Sequence, residues 1–113
     1  MIRAVLDTSV IISALLFSGP SSQLVSAWQS GRLRLVVSPS ILDEYVRVLA
    51  YPNFKLTQAE IRGLVDDEIL PFIETVKVPP AAVPTLRDPD NAKFIACATA
   101  AGVRWLVSGT TIL

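Results

Sequence analysis

Apolar positions along the chain fall into two kinds of run. Short ones at 2–6, 33–37 and 103–107 read as buried strands, and 72–78 reads as another. Between them the spacing is helical and the punctuation is polar. Residues 9–17 read as a helix that Ser18, Gly19 and Pro20 end. Ser21 or Ser22 opens a second helix, which runs to Ser30 and Gly31, where the glycine suits a C-cap. Ser38 and Pro39 open a third, which continues to Ala50 before Tyr51, Pro52 and Asn53 break it. Thr57 to Glu60 has the spacing of a capping box and predicts a helix to Leu70. Residues 79–84 read as an extended loop. Asp88 and Pro89 start a last helix that Gly102 stops, and Ser108 with Gly109 makes a turn. Strands alternating with helices predict an α/β fold with a parallel sheet and helices on both faces.

At 113 residues the chain is one domain, 1–113, without internal repeats. It is 51% hydrophobic and only 18% charged, which predicts that a partner or a second copy covers part of its surface. No run reaches the roughly 18 apolar residues of a membrane span. Asp7 interrupts the apolar start and no small-residue cleavage site follows, so the beginning does not read as an export signal. The single Cys97, in an apolar helical pattern, reads as a core residue and fits a reducing cytoplasm. Ten basic and ten acidic residues balance and no Lys/Arg cluster occurs, so charge lends no support to nucleic-acid binding. There is no histidine, which excludes His-based triads, His general bases and ordinary zinc sites. Hydrolytic chemistry would have to rest on carboxylates.

Asp7 is the sharpest candidate. It stands where the first strand ends, and ligands of α/β sheets bind outside the carboxyl ends of strands. A carboxylate there suits a hard cation; equally, Asp7 or Ser9 suits the cap of the next helix. Asp43 and Glu44 lie near the start of the third helix, and Glu44 follows the face of Ile41 and Val48 more closely. Asp88 and Asp90 begin the last helix, where Asp88 also reads as an N-cap and Asp90, with Asn91, as a first-turn residue. Carboxylates from these three places, gathered at one sheet edge, would repel one another unless a divalent cation neutralised them. Glu60, Asp66, Asp67 and Glu68 read as a solvated helix face. Trp28 and Trp105 read as core residues rather than stacking platforms for bases.

Four segments together resemble the PIN domain. The first is Ala4-Val5-Leu6-Asp7-Thr8-Ser9-Val10-Ile11-Ile12-Ser13-Ala14. The second is Ser38-Pro39-Ser40-Ile41-Leu42-Asp43-Glu44-Tyr45. The third is Arg87-Asp88-Pro89-Asp90-Asn91-Ala92-Lys93-Phe94, and the fourth runs from Ala100 to Gly109. The likeness is nearest to the PIN-type toxins of prokaryotic toxin–antitoxin pairs. It implies a three-layer α/β/α fold with a central parallel sheet. It also implies a Mg²⁺- or Mn²⁺-dependent endoribonuclease, an RNA substrate, a cognate antitoxin, a homodimer or higher oligomer, and a cytoplasmic location. Asp7 and Glu44 match the first two acids of the pattern. The third comes from the segment of Asp88 and Asp90, with Asp90 as the metal ligand, and Ser9 and Asn91 touch the metal shell or the phosphate.

Two positions depart from the pattern. Asn91 stands where such proteins usually have another acid, and Thr110 follows Gly109 where they have Asp. The resemblance also implies a further strand and helix at the C-terminal end, so the sequence reads as a shortened domain with an exposed sheet edge. These departures predict weakened metal binding and weak or absent cleavage. The competing expectation is a catalytically silent PIN module that binds antitoxin or dimerises. A phosphotransfer enzyme with Asp7 as nucleophile is disfavoured, because Ser9 stands where haloacid-dehalogenase-like enzymes carry a second Asp.

Overall fold

The computed structural model describes residues 1–79 and 89–108, with the side chains of Pro89 and Asp90 outside that description. The chain alternates strand and helix as the sequence predicts. Strand β1 (Ile2–Leu6) is followed by α1 (Thr8–Leu16), and a 3₁₀ turn at Pro20–Ser22 leads into α2 (Gln23–Gln29). Next come β2 (Leu33–Val37), α3 (Pro39–Leu49) and α4 (Gln58–Gly63), then β3 (Ile73–Thr75), α5 (Pro89–Ala101) and β4 (Trp105–Val107). The sheet order is β3-β2-β1-β4, and every pairing is parallel. Helices cover both faces, giving a three-layer α/β/α fold.

The last three residues of β1 and of β2 are buried without alternation. That is the signature of strands covered on both faces. Leu6, Ile11, Leu35, Ile41, Leu49 and Trp28 anchor the core, and the Trp28 indole N–H donates to the Glu68 carbonyl at 2.8 Å. Cys97 is also fully buried, and burial, with a smaller contribution from Glu74, pushes its thiol pKa up. Gly31 and Gly102, at φ +84° and +66°, end α2 and α5 in the left-handed region open to glycine at little cost.

Three expectations are corrected. The helix predicted to Leu70 changes its winding. After α4 comes a π-helical turn at Leu64–Ile69, then a 3₁₀ turn at Leu70–Phe72, and Glu68 is half-buried rather than solvated, its carboxylate accepting from Gln29. The strand predicted over 72–78 runs only from Ile73 to Thr75, since Thr75 pairs with Val37, the last residue of β2 before α3. Trp105, expected in the core, is 55% exposed, on the strand that forms the other edge among the described residues. The loop predicted at 79–84 lies almost wholly outside the described residues, as do Asp88, Gly109 and Thr110.

Candidate functional site

The chain winds from β1 through β2 to β3 and then returns to lay β4 on the far side of β1. The carboxyl ends of β1 and β4 therefore form the point where strand order reverses, the place where open α/β sheets bind ligands. Asp7 sits there. Its backbone N–H donates to the Val107 carbonyl of β4 at 3.0 Å. Among the described residues its carboxylate accepts from Ser108 Oγ on Oδ2 at 2.9 Å, and from Ser9 Oγ at 3.0 Å and the Val10 N–H at 2.9 Å on Oδ1. The Val10 bond makes Asp7 the N-cap of α1. Of the two readings of Asp7 left open by the sequence, the structure shows the helix cap, on a residue that lies at the switch point.

Glu44 reaches the same place from α3. Ser38 caps that helix through the Ile41 N–H and Pro39 occupies its first turn, so Ile41, Tyr45 and Leu49 turn into the core. Glu44 lies beside that buried stripe with its side chain 13% exposed, while Asp43 points to solvent. Thr8, the residue after Asp7, donates its hydroxyl to Glu44 Oε2. Lys93 of α5 places its ammonium 2.5 Å from Oε1, and Arg47 stands 3.8 Å from the same oxygen. Burial alone would push the Glu44 carboxyl up. The bonds from Lys93 and Thr8 and the charges of Lys93 and Arg47 outweigh it and hold the carboxyl below the usual carboxylate range.

Tyr45 ties the two acids' elements together. Its buried hydroxyl donates to the Leu6 carbonyl at 2.5 Å, one residue before Asp7. Burial, reinforced by the charges of Asp7 and Glu44, pushes its pKa far up, so the phenol stays a neutral donor. Asp7, Glu44, Ser9 and Thr8 therefore share one edge of the sheet. Asp90 lies in the first turn of α5 and Asn91 is exposed beside it. Sequence reasoning missed Thr8, Tyr45, Lys93 and Ser108. Thr8 and Ser108 carried one usable signal, since each abuts the carboxyl end of a predicted strand.

Mg²⁺ and Mn²⁺ take hard oxygen donors, and the carboxylates of Asp7 and Glu44, with the hydroxyls beside them, are of that kind. The donor chemistry fits such an ion. The donor count among the described residues is smaller than a full cage: no three of their acidic, cysteine or histidine side chains form a group able to hold a metal. A third acid would come from Asp88 or Asp90. Among the described residues no single helix is long and apolar enough to cross a membrane.

The family model of the PIN domain matches residues 3–111. No curated protein matches the chain.

Proposed function

Because this chain belongs to the PIN-domain family, whose members are in general nucleases that typically use divalent metal ions, we propose that it is a metal-dependent endoribonuclease, the toxin of a toxin–antitoxin pair. The observation that carries this reading is the meeting of Asp7 and Glu44 at the switch point through Thr8. In it, Asp7, Glu44 and Asp90 would hold Mg²⁺ or Mn²⁺, which when bound would supply an activated water and positive charge for the scissile phosphate. The chain's own part is positioning. Ser9 and Ser108 fix the rotamer of Asp7, Thr8 fixes that of Glu44, and Tyr45 fixes the spacing of β1 and α3. RNA, a cognate antitoxin and a second copy are the partners of this reading, and the cytoplasm is its location. Trp105, Leu106 and Val107, exposed on β4 among the described residues, support a protein partner, since exposed apolar side chains favour cover.

A second reading is a PIN module that binds antitoxin or its own copy without cleaving. It is favoured by Lys93, which already meets the charge of Glu44, and by the uncharged Asn91 and Thr110. One experiment separates the two. Single-stranded RNA of mixed sequence is incubated with the purified chain, with Mg²⁺ or Mn²⁺ and with EDTA, beside Asp7→Asn. Cleavage that requires both the ion and Asp7 supports the nuclease; intact RNA with a folded protein supports the binding module. Growth arrest on expression, relieved by a small protein encoded next to this gene, would test the toxin role.

A further inference from the structure

Strands β2 and β3 end side by side: Val37 pairs with Thr75, and the Val76 N–H donates to the Val37 carbonyl at 2.8 Å. Beyond them, against α5, lies a cavity of about 440 Å³. Pro39 and Ser40 of α3, Lys77 and Val78 after β3, and Lys93 and Ala96 of α5 line it. Two of these are cations and, among the described residues, no acid joins them, although the chain as a whole carries ten charges of each sign. The lining therefore brings two ammonium groups together, of which Lys93 also pairs with Glu44. Lys77 is exposed and forms no ion pair among the described residues. Lys93 belongs to both places: it lines the cavity, and its ammonium lies on Glu44, so the cavity adjoins the acids.

The volume falls within the range of small-ligand pockets and exceeds what one phosphate needs. The walls divide accordingly, with ammonium groups and the Ser40 hydroxyl for an anion, and Pro39, Val78 and Ala96 for an apolar moiety. We propose that this cavity holds one nucleotide of a single-stranded RNA, its phosphate between Lys77 and Lys93 and its base against the apolar wall. The assignment rests on the nuclease reading and adds to it a subsite beside the scissile position. It explains how a chain without net charge or a basic cluster grips a polyanion: two lysines from separate elements converge only in the fold.

The test is fluorescence anisotropy of a labelled single-stranded RNA with the full chain in EDTA, where a metal-dependent cleavage is silent. Lys77→Gln is expected to weaken binding about three- to tenfold and to reduce the salt slope by about 0.7, the value of one phosphate contact on a single strand. Ser40→Glu, which adds a negative charge at an exposed first-turn position that tolerates it, is expected to weaken binding at least as much. Arg62→Gln, outside the cavity, is expected to bind as the parent does. Parent-like binding by both Lys77→Gln and Ser40→Glu overturns the assignment even if the chain cleaves RNA. So does an acidic peptide that binds through Lys77 while RNA does not. Lys77-dependent RNA binding without cleavage in Mg²⁺ or Mn²⁺ upholds the cavity and removes the nuclease.

Discussion

Lys93 Nζ lies 2.5 Å from Glu44 Oε1, joining α5 to α3 at the carboxyl edge of the sheet. Both side chains are mostly buried, so each would be costly there without the other. Lys93→Met should destabilise the chain by about 1–2 kcal/mol, less than a fully buried pair because water still reaches both groups. Urea denaturation checks this. If the divalent ion and Lys93 compete for Glu44, added Mn²⁺ should raise the melting temperature of Lys93→Met more than that of the parent.

Asp7→Asn separates cap from chemistry. Asn caps helices about as well as Asp, so stability should change by no more than about 0.5 kcal/mol. RNA cleavage, in contrast, should fall at least about a hundredfold, because the lost charge is the one a cation needs. A variant that keeps full cleavage would remove Asp7 from the chemistry.

Thr8→Val keeps the shape and deletes the hydroxyl that orients Glu44. Cleavage should drop on the order of tenfold, with a small change in stability. Equal losses of folding and activity would make Thr8 structural only.

Tyr45→Phe removes the donor to the Leu6 carbonyl in the core. The expected cost is about 1–2 kcal/mol, read from the urea midpoint.

Arg3 of β1 and Glu74 of β3 form a two-pronged ion pair, at 3.0 Å and 2.5 Å, across the β2 strand that separates them. The bond from Arg3 holds the Glu74 carboxyl below its ordinary value. A lowered carboxyl contributes stability above the unfolded value of about 4.5 and loses it as pH falls through the folded value. Stability should therefore decline on acidification below about pH 4.5, and Glu74→Gln should make that decline shallower. Midpoints measured between pH 7 and pH 3 would check the sign.

The order of elements was legible because β1 and β2 are each followed at once by a short polar residue that can start a helix. Asp7 and Ser38 both do this, and both prove to be caps. Strand lengths were not legible: residues 76–78 continue apolar alternation, yet pairing ends where β2 bends into α3. Trp105 misled for a related reason, since an aromatic in a strand packs inward only if the strand has cover. The π-helical turn leaves no mark on composition, and Glu68, which a regular helix would hold in solvent, is half-buried there. Among the candidate site residues, Asp7 stood out as an acid at the end of an apolar run, and Glu44 as an acid that follows the face of Ile41 and Val48. Their partners Ser108 and Lys93 come from elements about 50 to 100 residues away. They become neighbours only through the return of β4 to the side of β1, which no local pattern encodes.

The capping bond of Asp7 has a consequence for how such domains age. A copy released from selection for cleavage would still be selected to fold, and folding needs an oxygen acceptor at the start of α1. Drift at position 7 is then confined to a few short polar residues, Asp among them, whatever becomes of the chemistry. Glu44 has no such protection, because its partners Thr8 and Lys93 are exchangeable polar side chains rather than a helix terminus. Persistence of the first acid is thus a record of architecture, and the second acid is where the loss of an ancestral activity would be written first.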